Sequence, residues 1–188
     1  MSWIQTFTGT RFELLDPRPD AVEIRDIAHS LASICRFGGH CDWFYSVAQH
    51  SWIVSHCCQP WDALWGLLHD AAEAYVGDVT RPLKQLLPDV QQIERRIQMV
   101  IATKFDLIGR DPNEFLRTRE RVKYWDDVVL ATEARDLLGP AVDDWVDRLP
   151  APMLDVIHPW AWDVAEAAFL HRFEELTRAS KQPRKGAA

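Results

Sequence analysis

The sequence has no long hydrophobic stretch and no recognisable leader. None of its apolar runs approaches the roughly 18 residues that a membrane-spanning helix requires. Residues 1–6 run directly into a polar stretch, which is not typical of a secretory signal. These absences predict a cytoplasmic protein that does not associate with a membrane. The sequence also contains no internal repeat and no low-complexity domain.

Cysteine is scarce, and its spacing matches no common metal or redox motif. The four residues are Cys35, Cys41, Cys57 and Cys58, and none of them forms a CxxC pair. Reduced thiols are therefore the preferred interpretation. A zinc site built from Cys41 and His40 is the alternative, but it has no second half with ligand spacing.

The sequence is short of basic residues. Its 21 Lys and Arg stand against 28 Asp and Glu, which gives a net charge of −7 and a pI near 5.4. General DNA- or RNA-binding proteins usually carry a basic face. Polymeric nucleic acid is therefore not expected as a substrate or partner.

Apolar residues at helical spacing predict a single helical domain over residues 1–180, followed by a flexible tail at 181–188. With 188 residues, 47% of them hydrophobic, the chain is long enough for one full core and short for two. Alternation in residues 4–15 predicts a hairpin that turns near Gly9. Capping boxes at Asp20 with Glu23 and at Ser46 with Gln49 predict two helix starts. The predicted helices cover residues 20–37, 46–58, 60–77, 88–101, 112–138 and 160–179. The predicted fold class is all-α with a small N-terminal β-hairpin.

The most informative pattern is the run His69-Asp70-Ala71-Ala72-Glu73, which lies in a strongly helical segment. Two adjacent side chains in this run can bind a metal, and a carboxylate follows one turn later. Residues three or four apart share a helix face, so Glu73 is expected near both His69 and Asp70. The segment is otherwise apolar, and burying an aspartate is costly unless it is paired or coordinates a metal. The run therefore predicts a metal site.

Two further ligands are expected on other helices. His50 follows the start of one predicted helix, and Asp126 lies on the side of the long helix 112–138 that faces the core. A set of imidazole nitrogens and carboxylate oxygens without thiolate suits Co, Mn, Zn, Mg, Fe or Ni. Such a metal polarises a phosphoryl oxygen and activates a bound water. Hydrolysis is therefore the predicted reaction class.

The ordered set His50, His69-Asp70 and Asp126 resembles the H…HD…D signature of the HD-domain metal-dependent phosphohydrolases, an all-α family. The resemblance is narrowed to particular members of this family by three further features: Arg36 upstream of the set, the Gly-Asp-x-x-x-Pro-x-Lys run at 77–84, and residues 123–126. They look like the bacterial 5′-deoxynucleotidases and the related phage deoxynucleoside triphosphohydrolases. The resemblance covers residues 24–138 and implies an HD-domain helical bundle whose divalent metal is held by those four ligands.

The resemblance also implies residues that bind the substrate. In the deoxynucleotidases an Arg and a Lys in the matching contexts contact the substrate phosphate, which carries this role onto Arg36 and Lys84. The chemistry agrees, because Arg offers a planar bidentate fork and Lys a point charge. The alternative is that both are simply exposed, as most Arg and Lys are. Phe37 stands where those enzymes have Trp, so the nucleoside pocket is expected to differ in shape.

Two carboxylates are candidates for proton transfer. Glu73 is expected to activate the metal-bound water or assist the leaving oxygen, as the Glu after the HD pair does in that family. Asp78 follows the predicted helix end, where it is expected to bind the sugar or protonate the leaving group. An ordinary turn aspartate is the alternative for Asp78.

The leading functional hypothesis is a 5′-nucleotidase that releases phosphate from deoxynucleoside 5′-monophosphates. The first alternative is a triphosphohydrolase, for example of dATP, which would need further cations for the outer phosphates; Arg81 and Lys123 are weak candidates for these. A catalytically idle nucleotide sensor ranks below both, because all four ligands and Glu73 are present. The related enzymes form dimers or larger rings, so the resemblance also predicts a homo-oligomer.

Overall fold

The computed structural model describes residues 2–109, 111–140 and 144–181. This part of the chain is mostly helical, with one two-stranded antiparallel sheet. None of its helices is both long and apolar enough to cross a membrane. The predicted tail falls almost entirely on residues 182–188, which lie outside the described residues.

The predicted hairpin is confirmed. Strands β1 (Trp3–Gln5) and β2 (Arg11–Glu13) pair in register, with Ile4 opposite Phe12. Gly9 lies in the connecting turn with a φ of +85°, a conformation that glycine adopts without steric cost. Phe12 is fully buried and stacks on Tyr75, so the hairpin covers one side of the helical core.

The first helices are α1 (Ile24–Ser33), α2 (Val47–Cys57), α3 (Ala63–Leu68) and α4 (Glu73–Val76). The cap at Ser46 is confirmed, because its side chain accepts a hydrogen bond from the Gln49 backbone N–H at 3.1 Å. The other half of that predicted box is wrong, because the Gln49 side chain binds the backbone of His158 and Trp160. The capping box at Asp20 is wrong. Asp20 lies in a 3₁₀ turn (Pro19–Ala21), and Glu23 occupies the cap of α1 without a capping side-chain hydrogen bond.

The prediction of one continuous helix over residues 60–77 is also wrong. The segment divides into α3 and α4, and residues 69–72 form a turn between them. Within this turn the backbone bonds tighten to i→i+3: the N–H of Ala71 donates to Leu68 O, and that of Glu73 donates to Asp70 O. The His-Asp pair therefore lies at the interruption and not inside a regular helix.

The remaining helices are α5 (Arg81–Leu86), α6 (Pro88–Lys104), α7 (Pro112–Leu137) and α8 (Trp162–Lys181). A 3₁₀ turn (Asp144–Arg148) lies between α7 and α8. The long helices agree with the predicted ones to within a few residues. The sequence analysis did not predict the short helix α5.

The helices enclose α2 and α3 between two apolar clusters. One cluster joins α1, α2, α3, α6 and α8 and includes Leu31, Leu67, Ile97 and Phe169. The other joins α2, α3, α6 and α7. Because both sides of α2 are covered, polar residues on this helix are carried into the interior. His50 and Ser51 are both fully buried there.

Candidate metal centre

Three predicted ligands meet in the interior. The donor atoms of His50, His69 and Asp126 all lie within 4.8 Å of one another. The two imidazole Nε2 atoms are 3.4 Å apart, and Asp126 Oδ1 lies 3.2 Å from His50 Nε2 and 3.9 Å from His69 Nε2. Three donors converging on one point from α2, the α3–α4 turn and α7 can hold a metal ion.

The fourth predicted ligand, Asp70, lies beside this group. Its Oδ2 is 3.3 Å from His69 Nε2 and 3.6 Å from His50 Nε2. A nitrogen and oxygen donor set with two carboxylates fits the divalent metals expected from the sequence. The residues present therefore fit the metal that the HD pattern implies.

The tautomers of both histidines suit metal binding. His50 Nδ1–H donates to a carboxylate oxygen of Glu133 at 2.7 Å, and His69 Nδ1–H donates to the carbonyl of Gly66 at 2.8 Å. Neither acceptor can donate in return when the carboxylate is ionised. When neutral, each histidine therefore presents the lone pair of Nε2 to the cluster, which is the usual arrangement of metal-binding histidines.

Close packing of α3 on α2 and α7 brings the histidines together. A Cβ on Gly66 would lie 2.9 Å from Cys58 Sγ and 3.2 Å from Ser55 Cα, so only glycine allows this approach. At the start of α3, the buried Asp62 accepts hydrogen bonds from Arg121 of α7 at 2.6 and 2.7 Å. These contacts set the position of α3 against both neighbours that carry ligands.

Gln98 on α6 completes the hydrogen bonding of the interrupted turn. In a regular helix the N–H of Ala72 would donate to Leu68 O. Here it donates to Gln98 Oε1 at 3.1 Å, while Gln98 Nε2 donates to the carbonyls of Leu68 and His69 at 2.7 and 2.8 Å. The amide is thus inserted into the helical ladder beside His69 and Asp70, a recognised cause of helix breaks.

Arg36 is buried next to the cluster, but most of its guanidinium is already engaged. Nε and Nη2 donate to Glu133 Oε2 at 3.2 and 3.0 Å, whereas Nη1 lies 3.7 Å from Asp70 Oδ2. Phe37 follows with a φ of +57°, a strained value for a residue other than glycine, and its ring packs against the Arg36 guanidinium. Nη1 is the part of Arg36 that faces the ligands.

Glu73 and Lys84 form a second pair beside the ligands. Lys84 Nζ is 3.7 Å from Glu73 Oε1 and donates to Glu94 of α6 at 2.8 Å. Glu73 Oε2 is buried and has no hydrogen-bond partner among the residues that the structure describes. Asp78 is partly buried just after Gly77, and no direct contact joins it to the ligand atoms within the described part of the chain.

The surroundings raise the pKa values of Glu73 and His69 and lower that of Asp126. Burial and the neighbouring Asp70 and Asp78 raise the pKa of Glu73 well above its usual range. Burial alone would lower the pKa of His69, but the carboxylates of Asp70 and Asp126 outweigh it and raise the pKa well above 6.5. Burial likewise opposes ionisation of Asp126, yet its two histidine partners hold its pKa well below the usual value.

A cavity of about 440 Å³ opens beside the cluster. His69 and Lys84 form part of its wall next to the ligands, α5 and α6 supply most of the remainder, and α7 contributes Arg119. Its volume lies in the range of small-molecule sites, which is about 300–1,000 Å³. The ligand cluster is thus partly buried, and through His69 it borders a space that can hold a substrate.

Sequence reasoning missed Glu133 and Gln98 as functional residues. Glu133 follows Asp126 by seven residues, or about two helical turns, so it shares the inward face of α7. That spacing is a signal that could have identified it. The amide of Gln98 carries no such signal, because glutamine is common on the exposed side of an amphipathic helix.

Comparisons with known proteins found two related chains and no matching family model. The chain is 40% identical over 188 residues to the uncharacterized protein YfdR of Escherichia coli (strain K12), covering 96% of this chain and 99% of that protein. It is 32% identical over 166 residues to the uncharacterized protein RCAP_rcc00048 of Rhodobacter capsulatus, covering 81% and 83%. Neither name states an activity.

Proposed function

The chain belongs to the family of the Escherichia coli protein YfdR, and for it we propose metal-dependent hydrolysis of small nucleotides at the phosphorus next to the sugar. The proposal includes an HD-domain helical bundle with His50, His69, Asp70 and Asp126 as ligands. The observation that carries it is the convergence of three donors, the buried His50 and the partly buried His69 and Asp126, with Asp70 Oδ2 within 3.6 Å of both imidazole Nε2 atoms.

Buried charge supports a functional role for this cluster. Burying two aspartates and two histidines would be costly if they served stability alone. The loss of hydration offsets much of the attraction between the carboxylates and the protonated imidazoles. A divalent metal bound there would polarise a phosphoryl oxygen and activate water. Its four ligands leave room for substrate on the side of the cavity.

The phosphate is expected to bind between Arg36 and Lys84. Nη1 of Arg36 is not used by Glu133 and lies 3.7 Å from Asp70 Oδ2. Nζ of Lys84 lies 3.7 Å from Glu73 Oε1. Two cations close to the ligands would balance the charge that develops on the phosphoryl oxygens. Phe37 packs on Arg36 and is expected to shape the pocket that holds the nucleoside.

Glu73 is expected to move the proton. In the reaction a water oxygen forms a bond to phosphorus and the bond from phosphorus to the 5′ oxygen breaks. Glu73 takes the proton of the attacking water, and Glu73 or Asp78 supplies a proton to the leaving 5′ oxygen. A carboxyl with a raised pKa exchanges protons closer to neutral pH, where a general base or acid is most effective.

Two substrates fit this chemistry. Deoxynucleoside monophosphates are the leading substrates expected from the sequence, with orthophosphate as product. The cavity beside His69 and Lys84 favours the second candidate, a deoxynucleoside triphosphate, because it offers basic side chains beyond the phosphate that is cleaved. Homo-oligomer formation and a cytoplasmic location stay predictions.

The test is a panel of deoxynucleoside mono- and triphosphates incubated with metal-replete protein, with the phosphate product identified. Hydrolysis is expected to depend on added metal. Asp126→Ala should lose bound metal and at least about 100-fold in rate, since it removes a ligand and an inward charge.

Asp127→Ala is the matched control, because Asp127 is the next residue of α7 and pairs with Lys123 and not with the histidines. It should bind as much metal as the wild type. A wild-type rate in metal-replete Asp126→Ala would show that this cluster is not the catalytic centre.

A further inference from the structure

We infer that the cavity beside the ligand cluster is a binding subsite for the outer phosphates of a polyphosphate, with Arg95 and Arg119 as its charged contacts. The inference rests on the proposed function for the phosphate that is cleaved, and it adds the substrate class. It assigns a role to two arginines that lie outside the predicted site.

The first support is the charge of the cavity wall. Arg81, Lys84, Arg95 and Arg119 line it, and Glu94 is the one acidic side chain among the lining residues. The whole chain has a net charge of −7, so this concentration of positive charge runs against its overall balance. A concave site lined by one sign of charge concentrates ligands of the opposite sign.

The second support is that two of these cations form no ion pair with an Asp or Glu in the described part of the chain. Arg95 Nε donates to the carbonyl of Gln91 in its own helix, which leaves its guanidinium charge unbalanced. Arg119 makes no hydrogen bond or ion pair within residues 2–109, 111–140 and 144–181. By contrast, Arg81 lies 3.6 Å from Asp127, and Lys84 is held by Glu94.

The third support is the position of the cavity relative to the cluster. His69 belongs to both, and Lys84 lines the cavity while its Nζ stays 3.7 Å from Glu73. A phosphate chain with one phosphate at the ligands can therefore continue past Lys84 into the cavity. Arg95 on α6 and Arg119 on α7 then meet it from two helices.

The shape of the arginine side chain suits phosphate binding. Its planar fork matches the oxygens of a phosphate and can form two parallel hydrogen bonds. A monophosphate held between Arg36 and Lys84 would not use Arg95 or Arg119. The two arginines therefore favour a triphosphate over a monophosphate as the substrate.

The experiment measures binding without turnover. Inorganic tripolyphosphate and orthophosphate, each with Mg²⁺ in excess, are titrated into the full-length protein in a calorimeter. The wild type should bind tripolyphosphate more tightly than orthophosphate. Arg95→Gln and Arg119→Gln should each weaken tripolyphosphate binding about tenfold, as expected for losing a hydrogen bond to a charged group.

Arg96→Gln is the control, because Arg96 is the neighbour of Arg95 on α6 but donates to the Leu15 carbonyl away from the cavity. It should bind tripolyphosphate as the wild type does. The inference is overturned if neither cavity variant changes tripolyphosphate binding, or if both weaken orthophosphate by the same factor.

Hydrolysis assays separate this outcome from failure of the proposed function. A protein that hydrolyses monophosphates but binds tripolyphosphate no better than orthophosphate lacks the subsite and keeps the function. A protein with arginine-dependent tripolyphosphate binding but without metal-dependent hydrolysis keeps the anion site and loses the function.

Discussion

Glu133 acts on the candidate ligands through its hydrogen bonds, although it is not one of them. Its fully buried carboxylate accepts the His50 Nδ1–H on one oxygen and two N–H groups of Arg36 on the other. It thus fixes the His50 tautomer and balances the Arg36 charge at the same time. Burial disfavours its charged form, but Arg36 and His50 keep its pKa below the usual value.

Replacing Glu133 by glutamine should weaken metal binding by about 10- to 100-fold, since a carboxylate partner that orients a ligand is lost and Arg36 stays unbalanced. Breaking this buried ion pair should also lower the unfolding free energy by about 3 kcal/mol. Metal titration and chemical denaturation measure the two effects.

Glu166→Gln is the control for Glu133→Gln. Glu166 also accepts from a histidine Nδ1, that of His29, at 3.1 Å, but this pair lies between α1 and α8 and away from the ligands. Its metal affinity should equal that of the wild type. Equal metal affinity in both variants would show that Glu133 does not orient the site.

At the scale of elements, the break between α3 and α4 depends on α6. The Gln98 amide replaces the missing helical hydrogen bonds around the turn that carries His69 and Asp70. Helix α6, which carries none of the candidate ligands, therefore positions two of them.

Gln98→Met keeps the length of the side chain but removes its three hydrogen bonds. We expect a loss of about 1–3 kcal/mol in unfolding free energy, because partly buried backbone groups lose their partners. Metal affinity should also fall, since His69 and Asp70 lose their support. Denaturation and metal titration report these changes.

Gln92→Met is the matched control on the same helix, since Gln92 is exposed and makes no hydrogen bond in the described part of the chain. It should change neither quantity. Unchanged metal affinity in Gln98→Met, despite reduced stability, would limit Gln98 to a structural role.

Elements that are determined by nearby residues could be predicted from the sequence, whereas those that depend on distant contacts could not. The long helices α6 and α7 have apolar spacing and a proline in their first turn, so their sequences are sufficient. The convergence of His50, His69 and Asp126 also follows from one ordered pattern. The break at residues 69–72 depends on an amide 26 residues away from Ala72, which no local pattern encodes.

At the scale of the whole molecule, metal binding and protonation compete. Burial by itself would lower the pKa of His50 and His69, but neighbouring carboxylates raise both above 6.5. Metal ligands must be deprotonated imidazoles, so binding should release protons. Metal affinity should therefore increase as the pH rises through these pKa values, which calorimetry in buffers of different ionisation enthalpy detects.

Metal-free protein should show the opposite trend in stability. A histidine whose pKa is raised by folding contributes stability that is complete below its unfolded value of about 6.5 and lost as the pH rises through its folded value. Thermal midpoints of the metal-free protein should thus fall above pH 6.5, while the gain from added metal grows. Midpoints that do not change over this range would contradict the raised values.

The hydrogen bond from His50 to Glu133 spans 83 residues of sequence. During synthesis, α2 and the His-Asp turn leave the ribosome well before α7, which carries both Asp126 and Glu133. A nascent chain that ends before residue 126 lacks one ligand, and one that ends before residue 133 lacks the partner that orients His50. The complete donor set therefore assembles only after α7 has emerged and packed against α2.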